Sequence, residues 1–142
     1  MSATGLKVFA STLQATNIWL DDIMQELGWS DRHKAYQALR AVLHTLRDRL
    51  TVDETAQLSA QLPLLIRGIY FEGWHPHDKP RKERHWEEFV AHVSEAFTFE
   101  TQTHPTDITR AVLAVLSRHI ATGEVESLRR VLPQEIRDLL PA

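Results

Sequence analysis

The sequence predicts an all-α protein, a single helical bundle built from two pseudo-two-fold-related copies of a four-helix unit. Two observations support this prediction. Residues 40–70 and 110–140 align without a gap at an offset of 70, with eleven of thirty-one positions identical, whereas average composition gives roughly two or three chance matches. In both copies the apolar residues recur at intervals of three and four, which is typical of amphipathic helices.

The first helix is predicted over about residues 5–27, and Gly28 is its expected C-cap. Its apolar stripe consists of Leu6, Phe9, Leu13, Ile18, Trp19, Ile23 and Leu27. Ser30 or Asp31 can cap the N-terminus of a second helix, since both side chains accept hydrogen bonds from free amides. The second stripe is the most regular in the chain: Ala35, Leu39, Val42, Leu43, Leu46 and Leu50.

A capping box, Thr51 to Glu54, predicts the start of a third helix. Proline fits the beginning of a helix but not its interior. Leu62-Pro63 therefore predicts a break before a short fourth helix, and Leu132-Pro133 predicts the same break in the second copy.

A linker is predicted over about residues 72–84, where prolines and glycine interrupt the periodicity. The next helix is expected to bury Trp86, Phe89, Val90, Val93 and Phe97, and its stripe matches residues of the first helix at the same offset. The copies thus extend over about 16–70 and 86–140 of a single domain, 1–142. Because one copy of this size buries little surface alone, the two are expected to share one core.

Composition argues against several classes of function. The chain has 16 Lys and Arg, 19 Asp and Glu, a net charge of -3 and no cysteine. This balance argues against binding to duplex nucleic acid, and the missing cysteines exclude disulfides, thiolate metal sites and a cysteine nucleophile. With no signal-peptide pattern and no membrane-spanning run, we expect a cytoplasmic protein without membrane contact.

The segments RAVLHTLRDRLTVDETAQLSAQLP, GIYFEGWHP, RAVLAVLSRHI and VESLRRVLPQEIRDLLP together resemble a bacterial family, the domain of unknown function numbered two-two-six-seven. The resemblance covers nearly the whole chain. It implies a compact helical fold and a prokaryotic origin, and it implies no established activity or catalytic residue.

Ionisable residues around the linker could ligate a divalent metal such as zinc, because imidazole and carboxylate groups are suitable ligands. The candidates are His75, His77, Asp78, His85, Glu88 and His92. Three of them, at positions 85, 88 and 92, share one helix at spacings of three and seven. No named metal motif is matched, so a solvated linker is the alternative interpretation.

Three polar pairs recur in the two copies: Arg40/Arg110, Glu54/Glu124 and Arg67/Arg137. They could form two equivalent sites for an acidic partner. Alternatively, the arginines cap helix C-termini or pair with the glutamates inside each copy. Outside the repeat, Trp74, Arg81 and Lys82 are candidate partner contacts, although Trp74 could instead attach the linker to the bundle.

With no nucleophile constellation, cofactor motif or basic face, the leading hypothesis is a non-enzymatic protein–protein interaction or structural module without catalytic residues or cofactor. A homodimer is one form of this hypothesis. The alternative is a metal-binding protein or metal-dependent enzyme at the His-rich linker. A third hypothesis is a carrier that holds an apolar ligand between the two copies.

Overall fold

The computed structural model describes residues 5–97 and 101–142, and all regular secondary structure within these ranges is α-helical. The prediction of an all-α fold is confirmed. The helices are α1 (Lys7–Leu27), α2 (Arg32–Asp48), α3 (Val52–Ser59), α4 (Leu64–Phe71), α5 (Trp86–Ala96), α6 (Pro105–His119), α7 (Thr122–Val131) and α8 (Gln134–Arg137). No helix in the described ranges is both long and apolar enough to cross a membrane.

The two long helices α2 and α6 form the centre of the bundle. They pack against each other and against both α1 and α5, while α4 packs on α1 and α2 and α8 packs on α5. Leu43 of α2 and Leu113 of α6 occupy the same position of the two copies, and both are buried as predicted. These buried stripes produce one continuous core.

Local capping chemistry sets the helix boundaries. Gly28 ends α1 in the left-handed region with φ of 67°, a conformation that glycine adopts without steric cost. The Asp31 carboxylate caps α2 by accepting the Lys34 N–H at 3.2 Å. At α3 the Thr51 hydroxyl and the Glu54 carboxylate form the predicted capping box.

Both Leu-Pro breaks separate two helices, as predicted. Helix α3 ends at Ser59 before α4 begins at Leu64, and α7 ends at Val131 before α8 begins at Gln134. Pro63 and Pro133 each immediately precede the first helical residue, with identical φ and ψ of -57° and 152°. The helices therefore occur in the same order in both copies, whereas the two-fold relation between the copies stays a prediction.

Two expectations about burial are wrong. Trp86 was expected in the core but is 37% exposed, because it is the first residue of α5 and lies one turn before the buried Phe89. The stripe of α1 was expected to be buried throughout, but its buried side chains belong only to the second half of the helix. The exposed apolar residues of α1 are Leu6, Val8, Phe9, Leu13 and Ile18.

Candidate functional site

The arginines shared by the two copies support the fold. Arg67 Nη2 donates to the Leu62 carbonyl at 3.0 Å, and Arg137 Nη2 donates to the Leu132 carbonyl at 3.2 Å. Each guanidinium thus binds the carbonyl that precedes the proline, where the helix has ended and leaves acceptors free. This pair stabilises the Leu-Pro break.

The other shared arginines reach the ends of the fourth helices. Arg40 Nε contacts Glu72 Oε1 at 2.7 Å, and Arg110 Nη1 donates to the Asp138 carbonyl at 3.0 Å. Glu72 and Asp138 are the C-caps of α4 and α8. The hydrogen bond and charge of Arg40 lower the pKa of Glu72 below its usual value. Arg110 therefore binds a helix C-terminus, in agreement with the capping interpretation, whereas Arg40 forms an ion pair with the side chain of a C-cap residue.

The shared glutamates have different surroundings. Glu54 completes the capping box of α3, whereas Glu124 is buried in α7 and its Oε2 accepts a hydrogen bond from Gln57 Nε2 at 3.0 Å. Neither glutamate forms an ion pair with a shared arginine within the described ranges. The recurrence of these glutamates reflects helix starts and packing between the copies.

The six predicted metal ligands are divided among separate contacts. His77 lies 3.4 Å from Asp78 on the surface, and Glu88 Oε1 accepts the His85 N–H at 3.3 Å. The His85 ring contacts Glu135 of α8, which raises the pKa of His85 by hydrogen bonding and charge. His75 is exposed.

His92 Nδ1, the last of these candidates, lies 3.1 Å from Glu83 Oε1. Among residues 5–97 and 101–142 no group of three or more His, Asp or Glu side chains is placed to hold a metal ion. The structure therefore does not assemble the predicted ligand set, and metal binding stays a prediction.

Trp74 lies at the start of the linker and packs on the end of α4. Its ring lies 5.5 Å from that of Phe71 in α4, and its indole is half-buried. Of the other predicted partner contacts, Arg81 and Lys82 are exposed on the linker. These two cations line a groove with the end of α2 and the start of α5.

Sequence reasoning missed the residues that anchor this linker. Arg47 is 4% exposed, and its Nη1 donates to the carbonyls of Tyr70 and Glu72 at 2.9 and 3.0 Å. Its Nε also contacts Asp48 Oδ1 at 2.8 Å. The one available signal was that Arg47 occupies the position of Ser117 in the second copy.

A face of exposed apolar side chains lies where the first half of α1 meets α4. We call this the apolar face and define it as Phe9 and Leu13 of α1 with Leu64 and Leu65 of α4. These side chains are 46%, 42%, 51% and 39% exposed. Phe9, Leu64 and Leu65 also line a groove of about 620 Å³ between the two helices.

The apolar face has a fixed geometry. The Thr12 hydroxyl on α1 accepts the Leu65 N–H of α4 at 2.9 Å, so it satisfies one of the free amides at the start of that helix. Within residues 8–20 there is no Asp, Glu, Lys, Arg or His. The face is consequently a neutral surface on two helices that this hydrogen bond joins.

The fold of the described residues places this chain among the all-α proteins. The sequence profile of the uncharacterized conserved protein family DUF2267 matches residues 16–139. The chain belongs to this family. No curated protein matches the chain. The family match begins inside α1, so residues 7–15, including half of the apolar face, precede it.

Proposed function

We propose that this protein is a helical protein–protein interaction module that forms a homodimer through the apolar face. The observation that supports the proposal is the exposure of Phe9, Leu13, Leu64 and Leu65 on two helices that a hydrogen bond joins. Contiguous apolar patches on soluble proteins mark interaction sites more often than isolated exposed residues do. Aromatic and aliphatic anchors of this kind dominate the energetics of interfaces.

The charge distribution favours a second copy as the occupant of the apolar face. The only charged residue of α4, Arg67, directs its guanidinium to the carbonyls of Ser59 and Leu62. Two neutral faces can therefore pack together without burying an unpaired charge, which is costly. Glu72 lines the same groove, but its carboxylate is already paired with Arg40.

The two copies of the unit also favour a closed dimer over a chain of molecules. At the offset of 70, Leu64 and Leu65 correspond to Gln134 and Glu135. The second unit thus lacks the apolar pair, and each molecule presents the apolar face once. One self-complementary face per molecule produces a two-fold dimer, because the contact uses the same patch on both subunits.

Sedimentation across a concentration series tests this proposal. We expect wild-type protein to dimerise, and the double variant Leu64→Gln, Leu65→Glu, which copies the second unit, to remain monomeric with an unchanged melting temperature. The dissociation constant should rise at least about 30-fold, since loss of buried anchors costs about 2 kcal/mol or more.

The matched control is Val52→Thr, Val131→Gln, which replaces two exposed apolar residues outside the face by their counterparts in the other copy. This control should dimerise like wild type. A monomeric wild type at all concentrations, or a dimeric Leu64→Gln, Leu65→Glu variant, would overturn the proposal.

A further inference from the structure

We propose that the groove between the linker and α5 binds a soluble small molecule that carries two or more linked phosphate groups. The groove has a volume of about 950 Å³ and is formed by the end of α2, the second half of the linker and the first turns of α5. That volume lies within the range of about 300–1,000 Å³ that small-molecule sites occupy. The site is separate from the apolar face.

Five cationic side chains line this groove: Arg49, Lys79, Arg81, Lys82 and Arg84. Of these five cations, only Arg81 lies at ion-pair distance from a carboxylate of the described residues, with its Nε 3.8 Å from Asp48 Oδ2. The acidic residues of the lining are three, Asp78, Glu83 and Glu88. The groove thus carries an excess of two formal positive charges, five minus three, in a chain of net charge -3.

The groove is built on an anchored segment and not on a free tail. The Arg81 N–H donates to the Asp48 carbonyl at 2.8 Å, and Arg49 Nε donates to the Glu83 carbonyl at 2.6 Å. These two bonds hold the linker against the C-terminal end of α2. The cations on the linker are therefore presented from a fixed backbone, which reduces the entropy lost on binding.

A buried carboxylate lies beneath the cations. Glu83 is 5% exposed, and neither of its oxygens accepts a hydrogen bond from the described residues. The His92 ring lies beside it, with Nδ1 3.1 Å from Oε1. A buried charge of this kind is unfavourable unless opposite charges surround it. Glu83 thus offsets repulsion among the cations while the groove is empty, and it is too enclosed to contact a ligand itself.

The types of cation indicate the ligand. Guanidinium groups match the oxygens of phosphate with paired hydrogen bonds, and lysines add strong point charges to the same groups. A single phosphate is too small to contact three arginines and two lysines spread along the groove. Linked phosphates distribute their negative charge along it, and the resulting charge-assisted hydrogen bonds are about twice as strong as neutral ones.

Calorimetric titration with inorganic tripolyphosphate at low ionic strength tests the proposal. We expect one site per chain and an affinity that decreases as salt is added, because exposed charges are screened. The variant Arg81→Gln, Lys82→Gln, Arg84→Gln removes three exposed side chains of the groove. It should bind at least about 100-fold more weakly, because it loses the charge-assisted hydrogen bonds of three cations.

The control variant Lys7→Gln, Arg32→Gln, Arg130→Gln removes the same amount of charge from exposed positions that do not line the groove. It should bind tripolyphosphate like wild type. Equal weakening in the two variants, or no heat with wild type, would overturn the proposal. Binding only to vesicles with phosphorylated lipid headgroups would also overturn it, since the ligand would then be a membrane surface and not a soluble molecule.

Discussion

The segments that precede the two repeats have different structures. At the offset of 70, residues 7–15 correspond to residues 77–85. The first segment is helical and carries the exposed Phe9 and Leu13, whereas the second is irregular, contains Pro80 and is rich in cations. The side chains of the two halves thus differ most in these segments, which lie outside the repeats.

The fourth helices of the two copies, α4 and α8, also differ in their side chains. Both follow a Leu-Pro break whose carbonyl binds a shared arginine. Their exposed first residues differ, with Leu64 and Leu65 in one copy and Gln134 and Glu135 in the other. The shared residues hold the fold, and the unshared residues determine what each surface can bind.

The largest expected effect is the loss of shared core packing. Leu43→Ala and Leu113→Ala should each lower the free energy of unfolding by ~2–5 kcal/mol, because both side chains are buried and leave a cavity. Denaturant unfolding of the two variants measures this. A near-neutral result for either variant would show that the two positions are not equivalent in the core.

The arginines at the two Leu-Pro breaks should contribute smaller and unequal amounts to the free energy of unfolding. Arg67 donates to the carbonyls of both Ser59 and Leu62. Arg137 has an unbonded Nε, donates to the Leu132 carbonyl and makes an exposed hydrogen bond to Gln134 Oε1 at 3.3 Å. We expect Arg67→Ala to cost about 2 kcal/mol and Arg137→Ala about 1 kcal/mol. Arg130→Ala on the exposed surface should change stability by less than ~0.5 kcal/mol. Equal costs at positions 67 and 137 would contradict the ranking.

The smallest expected effect is a change in the pH dependence of stability. It involves His44, whose counterpart in the second copy is Ala114. Burial lowers the pKa of His44 below its ordinary value, and its Nε2 lies 2.7 Å from the Ile69 carbonyl. As pH falls, His44 therefore binds a proton in the unfolded chain before it does so in the folded chain. The contribution of neutral His44 to the free energy of unfolding is complete above the unfolded pKa and is lost as pH falls through about 6.5. His44→Ala, which copies Ala114, should reduce the acid-dependent loss of stability measured between pH 7.5 and 5.5.

His85 provides the opposite sign for comparison. Because Glu135 raises the pKa of His85, the contribution of that pair is complete below the unfolded pKa and is lost as pH rises through the folded one. His85→Ala should therefore not reduce the acid-dependent loss. An unchanged pH profile in His44→Ala would rule out the role assigned to His44.

Local chemistry made much of the fold predictable. The capping box at Thr51 and Glu54, the cap at Asp31 and the break at Pro63 each depend on residues a few positions apart. Periodicity also identified the stripe of α2, because a central helix has neighbours along its whole length. Those features need no knowledge of the tertiary structure.

The candidate surfaces were less predictable because they depend on distant segments. Periodicity placed Phe9 and Trp19 on one stripe, but it does not reveal that the bundle covers only the second of them. Similarly, the approach of Glu83 to His92 requires the linker to fold back on α2 and α5. The sequence predicts the linker histidines as metal ligands, whereas the structure pairs His85 with Glu135 and His92 with Glu83.

The uneven packing of α1 divides its backbone into two parts with different resistance to hydrogen exchange. Its second half contains the buried Thr16, Trp19, Leu20 and Ile23, so those amides open only with the core. Its first half has no buried side chain and is joined to α4 by the Thr12–Leu65 hydrogen bond, so we expect its amides to open at a lower free energy than those of the second half. The boundary between the two parts falls at Thr16, where the family match begins.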